Sequence, residues 1–542
     1  MKILNFIKKI YIIILSCLSL EPRDKRINII KKHIFSESRD LHPNYIYSTK
    51  YNIAIESVRD PLFYALFSLI LAGIRKKISI NSYLLFVTSI NSAVGAGWIQ
   101  KISRSKVINW IINSQWKRAS VPILGNHIAY KSQSFSNPVL DLKDWLVAEK
   151  IWASQKSKND ISRLTVDGVL VGDLIIDSYL RFRPSPEFKI SDPFVKTIIW
   201  QALRDLRKAT DFFSKIKPVL YLTSYSTYIE HGIAARVALQ SGVKVRSYGH
   251  IAAFGKRLER SDFFHTPNTS YYSKVFLGLK NQSAHLRKAE KSLNFRLSGG
   301  IDPATSYMKI SAYKSNNKHV PNVKGQIVIF LHDFYDSPHI YPDLIFPDFW
   351  SWIVFTIDTL QKNQVKFWIK PHPNQIDLSD EAMKDLIEKF PNLRIIPPGA
   401  TNKQLAKAGM RLGVTVYGTV AHELAYMGIP TISCAKDPHH AFNFCFRASN
   451  KIQYKSLLLN NNAIPFNQIL LKKQALQFFY MHNLHHGNTI NNLIRKYSVF
   501  TTLMGKKEID RDSIEKVLNS LQNSKGFKDH INELSNDIVS FN

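Results

Sequence analysis

Short apolar runs, each closed by glycine, proline or a polar cluster, recur along the chain. Tyr83-Leu-Leu-Phe-Val-Thr88, Val219-Leu-Tyr-Leu-Thr223, Gln326-Ile-Val-Ile-Phe-Leu-His-Asp333, Val365-Lys-Phe-Trp-Ile-Lys-Pro-His-Pro-Asn374 and Gly413-Val-Thr-Val all have the length and β-rich content of buried strands. Between two of them Glu230 to Gln240 has helical spacing, and Gly242-Val-Lys-Val-Arg-Ser-Tyr248 follows as a further strand, which predicts a βαβ step. Pro61 to Ile74 is apolar but short for a membrane span, so it reads as a core helix ended by Gly73. Residues 1–60 read as a helical, basic lead-in, 61–306 as one α/β domain, and 326–458 as a second. The Lys-, Asn- and Ser-rich stretch 307–325 reads as the linker between them, and 459–542 as a helical, polar tail. The two halves are alike in kind, with no repeat at the level of sequence.

At 542 residues, 45% of them hydrophobic, the chain can bury more than one core. Its 73 Lys and Arg against 41 Asp and Glu give a formal charge of +32, which calls for an anionic partner. Basic runs interleaved with aromatics and zinc or helix-turn-helix signatures are missing, so a membrane surface or acidic glycan is expected ahead of nucleic acid. Three cysteines, Cys17, Cys434 and Cys445, are too few for a disulfide framework and fit a reducing cytoplasm; no Cys/His spacing suggests a metal site. The apolar run Ile10 to Leu20 behind Lys2, Lys8 and Lys9 suits an interfacial helix or a buried first helix. Peripheral attachment at the inner face of the cytoplasmic membrane is the expectation.

The candidate chemistry gathers in the second half. Gly413-Val-Thr-Val-Tyr-Gly-Thr-Val-Ala-His-Glu-Leu-Ala-Tyr-Met-Gly-Ile-Pro-Thr-Ile432 reads as strand, glycine turn, short helix and strand. Gly418 would let the backbone approach a phosphate, Thr419 would open the helix, and Glu423, one turn on, would lie near a ribose. Upstream, prolines flank His372 at the end of a strand, where Lys370 and His372 could both face a phosphate. The third strand ends in His332 and Asp333, with Tyr335, Asp336 and His339 beyond, so three strand ends would rim one pocket.

These segments resemble the donor-binding domain of GT-B glycosyltransferases, in particular bacterial enzymes of capsule and lipopolysaccharide synthesis with a His-Pro motif, among them sialyl- and Kdo-transferases that use CMP-activated sugars. Asp167 to Arg181 and Tyr221 to Ile233 look like acceptor-side segments of such enzymes, and the resemblance spans roughly residues 160–450. It implies an α/β protein of GT-B architecture, two Rossmann-like domains facing a cleft. It also implies a nucleotide-sugar donor (CMP- or UDP-linked) as substrate, no cofactor, and a surface polysaccharide or lipid-linked glycan as acceptor. By it His372 would touch the nucleotide phosphate, Gly418 and Thr419 would form the phosphate loop, and Glu423 would hold the ribose.

Direct displacement at a sugar carbon needs a base for the acceptor hydroxyl and stabilisation of the departing phosphate. Asp173 is the first expectation for the base, since Gly172 precedes it and its surroundings are apolar; Glu230 and His231, in Thr-Tyr-Ile-Glu-His-Gly, are the others. Asp173 could instead cap a helix, with Asp177 pairing to Arg181. Asp333 and Asp336 could bind a divalent ion but are not spaced as a DxD motif, and turnover without one is expected. A nucleotide-sugar epimerase of the same architecture and a non-catalytic assembly protein for surface polysaccharide are the competing readings.

Overall fold

The structure is a computed structural model that describes residues 22, 24–38, 51–86, 111, 114–120, 123, 138–183, 185–300, 320–372, 377–397, 399–436, 438–460, 464, 467–485, 487–506 and 509–540. The chain divides into two compact units, the first made of Met1–Arg183, Ile190–His265 and Asn492–Asn542, the second of Pro184–Lys189 and Thr266–Asn491. Each is an α/β layer structure around a mainly parallel sheet, the pair of Rossmann-like units that a GT-B protein requires.

In the first unit the strands are β1 (Tyr51–Ser57), β2 (Ile80–Phe86), the small antiparallel hairpin of β3 (Thr165–Val166) and β4 (Val169–Leu170), β5 (Leu220–Thr223), β6 (Lys244–Ser247) and β7 (Lys256–Leu258). The main sheet has the order β2-β1-β5-β6-β7, parallel except for β7. The helix Tyr228–Gln240 joins β5 to the parallel β6, the expected βαβ step. Beside the sheet the helix Pro61–Arg75 is buried almost throughout, with Asp60 as its N-cap and Pro61 at its first turn, where a missing N–H costs nothing. It runs past Gly73 instead of ending there. A Cβ at Gly73 would stand 3.0 Å from the Ile531 side chain, so that glycine admits a neighbouring helix.

The second unit contains β8 (Ile327–Phe330), β9 (Phe367–Lys370), β10 (Leu412–Val414), β11 (Thr431–Ser433) and β12 (Cys445–Arg447), all parallel in the order β12-β11-β10-β8-β9. The helix Val420–Tyr426 lies between β10 and β11 and stops at Gly428, whose φ of +82° only glycine adopts at little cost. Cys434, just past β11, is fully buried in the unit's core, as a small apolar residue would be.

Several divisions differ from those read in the sequence. The supposed lead-in contains β1, a central strand, and Ile27, Ile30 and Ile34 of the helix Lys25–Ser38 sit in the first unit's core. Residues 266–300, expected in the first domain, pack in the second unit through Tyr272, Phe276, Leu293 and Leu297. The tail is shared: the helix Gln468–Asn483 belongs to the second unit, whereas Leu518, Leu521, Leu534 and Ile538 close the core of the first. The apolar run 10–20 and most of the expected linker lie outside the described residues. Among the described residues no helix is long and apolar enough to cross a membrane.

Gly172 begins the helix Gly172–Phe182, and a Cβ there would stand 1.8 Å from the Ile161 carbonyl oxygen. Because the obstacle is backbone, it cannot rotate away. Gly172→Ala should therefore lower unfolding free energy by about 1–3 kcal/mol or more, as overpacking does, read as a shifted urea midpoint at unchanged slope.

Candidate functional site

In an open parallel sheet the crevice for a ligand lies beyond the carboxyl ends of the two strands from which the chain departs in opposite directions. Both sheets share one order: the first strand has the second on one side and the remaining three on the other. The switch point is β1/β5 in the first unit and β8/β10 in the second. Each is lined by polar side chains.

In the second unit His332 follows β8, His372 follows β9, and the turn Tyr417-Gly418 follows β10. The His332 and His372 rings stack with centroids 5.8 Å apart and planes 20° from parallel. Phe349 stacks on His332 at 4.9 Å and Tyr417 meets it edge-on at the same distance. The Tyr417 hydroxyl donates to the Ser337 carbonyl (2.9 Å), which fixes that ring. Burial pushes His372 down to about 4, helped by His332 and Lys370 and opposed by Asp333; burial likewise lowers His332. Both rings are neutral at pH 7, so toward a phosphate they act as N–H donors rather than as cations, and a bound dianion would raise both. His332 Nδ1 has no hydrogen-bond partner among the described residues.

The other residues expected here are placed differently. Lys370 donates to the Ala400 carbonyl at 2.8 Å, and burial lowers it to about 8. Asp333 accepts from the Tyr335 N–H and the Ser379 hydroxyl, at 3.0 and 2.9 Å, and so ties the loop after β8 to the helix Asp377–Lys389. Gly418 donates its N–H to Thr415 Oγ1 (3.2 Å), which closes the turn tightly enough that a Cβ would stand 3.0 Å from that oxygen. Thr419 is exposed at the helix start but makes no side-chain cap. Glu423 is only 6% exposed and accepts from Asn402 Nδ2 at 3.4 Å. His422 is a core residue, 3.1 Å from His439 and 3.3 Å from Arg296. Among the described residues no three His, Cys, Asp or Glu side chains are grouped as a metal site.

In the first unit Asp173 is not available as a base. Both its carboxylate oxygens accept from Arg236, at 2.6 Å each, and the pair is buried with the Arg236 guanidinium 4.2 Å over the Phe263 ring. The sequence hides this because Asp173 and Arg236 lie 63 residues apart on different helices. Nor does Asp173 cap its helix.

Glu230 and His231, by contrast, stand in the first turn of the helix Tyr228–Gln240, directly after β5. That helix opens on Tyr228 at φ +59°, a strained value for an aromatic residue, with the next N–H received by Ser178 Oγ at 2.9 Å. His231 Nδ1 lies 2.5 Å from Oε1 of Glu56, a fully buried carboxyl at the end of β1. Sequence reading missed Glu56. Its only signal is an acid closing the apolar-rich run Tyr51-Asn-Ile-Ala-Ile-Glu56. Tyr225, 37% exposed, packs edge-on to His265 at 5.4 Å and lies 5.8 Å from His231. Burial holds His265 at about 3 and His250 at about 4, each also lowered by Lys256.

No family model matches the chain. No curated protein matches it either. Among solved structures it is similar to a UDP-GlcNAc 2-epimerase of Methanocaldococcus jannaschii in complex with UDP-GlcNAc and UDP, at 11% identity and TM-score 0.25, over 78% of this chain and 94% of that one. The UDP-GlcNAc 2-epimerase of Neisseria meningitidis bound to UDP-GlcNAc stands at 11% identity and TM-score 0.25, over 79% and 94%. A glycosyltransferase from Rickettsia africae stands at 11% identity and TM-score 0.21, over 92% and 100%. At these identities and TM-scores the superpositions are too loose to carry a residue-level or functional argument.

Removing one partner of a buried ion pair strands the other charge, which costs about 3–5 kcal/mol. Arg236→Ala should therefore destabilise the first unit by that amount. Asp173→Asn, which keeps one acceptor for the guanidinium, should cost less and leave turnover within a few-fold of wild type. Urea unfolding of both variants checks the order.

Proposed function

We propose that the protein is a glycosyltransferase that moves a sugar from a nucleotide-activated donor, CMP- or UDP-linked, to a growing bacterial surface polysaccharide or lipid-linked glycan. The observation that carries this reading is the neutral His332–His372 stack at the β8/β10 switch point, beside the Tyr417-Gly418 turn. Two adjacent strands there, β8 and β9, end in imidazoles able to donate to phosphate oxygens, and stacked aromatic rings give a flat wall for a base or sugar.

In this reading the acceptor hydroxyl oxygen forms the new bond to the anomeric carbon. The carbon–oxygen bond to phosphate breaks and its electron pair leaves on the phosphate oxygen. The proton of the hydroxyl passes to a base of the first unit, Glu230 or His231, since Asp173 is committed to Arg236. Charge grows on the leaving phosphate, and N–H groups preorganised around it stabilise that charge more in the transition state than in the ground state. Such a site needs no divalent ion. The formal charge of +32 supports work at an anionic membrane surface, where each Lys or Arg near the lipid contributes about 1 kcal/mol. We place the protein at the inner face of the cytoplasmic membrane on that ground.

Saturation-transfer NMR of the whole protein with CMP, UDP and GDP tests the nucleotide site. Binding of CMP or UDP is expected; binding of none would favour a non-catalytic assembly role, and epimerisation of a UDP-sugar without transfer would favour the epimerase class. His372→Ala should lower turnover at least tenfold while nucleotide affinity falls only a few-fold; equal losses in both would mean a uniform binding role.

Attachment to the membrane is checked separately. The protein should sediment with anionic phospholipid vesicles at low salt and be released, at least in part, as salt shortens the Debye length. Full solubility at low salt would remove the membrane from this reading.

A further inference from the structure

The β1/β5 switch point of the first unit holds an arrangement that the sequence does not announce. Glu56 sits one residue before the end of β1 with its side chain fully buried. Oε2 accepts the Ser224 N–H at 2.5 Å and lies 3.2 Å from Thr223 Oγ1, both at the end of β5. Oε1 faces His231 Nδ1. The carboxyl therefore spans the two strands of the switch point and is held on one side by backbone while it holds a histidine on the other.

A carboxyl at Nδ1 accepts a proton from that nitrogen, so Nδ1 carries the hydrogen and Nε2 keeps the lone pair. Ser224 Oγ also approaches Nδ1, at 3.4 Å, and not Nε2. A serine–histidine–carboxylate relay is thereby excluded, because serine and carboxyl compete for the same nitrogen. Nε2 points instead toward Glu230, whose Oε2 is 3.9 Å away. The imidazole is 12% exposed, at a site with Tyr225 beside it.

We propose that His231 is the proton-accepting residue of this protein, with Glu56 as the positioning residue that fixes its tautomer and Glu230 as the second carboxylate that receives the imidazolium. This deepens the glycosyltransferase reading and rests on it for the identity of the hydroxyl. In the step, the proton of the acceptor oxygen passes to Nε2 as that oxygen bonds to carbon, and Nε2 later returns it to water. The resulting cation then lies between two carboxylates.

The electrostatics agree with this assignment. Burial alone would lower the His231 pKa; the charge of Glu56, its hydrogen bond and the charge of Glu230 outweigh burial and raise it above the ordinary value. His265, close enough to feel the charges of His250 and His231, is neutral, as is His250, and Tyr225 is raised by burial, so neither imidazole nor the phenol competes for the proton. Arg59, lowered by burial, is the cation facing Glu230 and moderates its pull. The base form of His231 therefore accumulates as pH rises through a value above 6.5. Activity should have its acidic limb there.

Site-resolved modification by diethyl pyrocarbonate, which attacks unprotonated imidazole nitrogen, reads the His231 titration without any substrate. In the full-length wild type the modification rate of His231 should rise with pH through an inflection above 6.5. In Glu56→Gln the inflection should fall by at least one pH unit, and in Glu230→Gln by less. Release of nucleotide from the activated sugar whose nucleotide binds should drop at least 100-fold in His231→Gln and at least tenfold in Glu56→Gln, with nucleotide affinity unchanged. Glu56→Asp should recover part of that loss.

A merely structural Glu56 would lower the melting temperature of Glu56→Gln and leave the His231 titration where it was, which would overturn the proposal. So would His231→Gln turning over within threefold of wild type. If CMP, UDP and GDP all fail to bind while the His231 titration behaves as stated, the glycosyltransferase reading fails and the Glu56–His231 pairing stands.

Discussion

A chain that leaves neighbouring parallel strands toward opposite faces of a sheet cannot close over the gap between them. That topological constraint shapes both units. The sheet grows from β1 to β2 on one side and through β5 to β6 on the other, and the same reversal recurs at β8 and β10. What differs is how the two gaps are lined. At β8/β10 the lining is aromatic and neutral, His332 and His372 with Phe349 and Tyr417. At β1/β5 it is a buried carboxyl answered by a backbone N–H and a histidine. The first suits a planar or phosphorylated group, the second a transferable proton.

The buried acids separate by their partners. Asp173 meets a guanidinium that donates to both oxygens and moves no proton at neutral pH, so the pair is a structural clamp between two helices. Glu56 meets an imidazole, which exchanges protons near neutrality. Both carboxyls are as good as removed from water, and burial alone would have ranked them equally. The chemistry of the partner decides which of them bears on function.

Strands with clear apolar runs and punctuated ends were legible: β5, β6, β8 and β9 fall within the segments read as strands, and β10 and β11 overlap theirs. The clustering of His332 and His372 was also legible, since strand ends converge wherever a sheet is parallel. The pairing of Asp173 with Arg236 was not, because nothing local in Gly172-Asp173-Leu174 specifies a partner on another helix. β1 escaped because Tyr51-Asn-Ile-Ala-Ile-Glu-Ser57 mixes polar residues into a central strand, and one of them, Glu56, is the residue the switch point uses. The contact of Glu423 with Asn402 was equally illegible, since 21 residues separate the two.

Return of the chain to its first unit has a consequence for the order of folding in the cell. Leu518, Leu521, Leu534 and Ile538 fill the same core as Ile27, Phe63 and Leu220, so that core lacks a wall until the last fifty residues have been made. The second unit has no such wait: its strands and their covering helices lie within a nearly continuous stretch ending at Asn491. At about 5–20 residues per second, the N-terminal strands spend on the order of tens of seconds outside the ribosome before their core can close. During that interval the buried face of the helix Pro61–Arg75 is left without its full cover, and this nascent segment is where a chaperone has reason to bind.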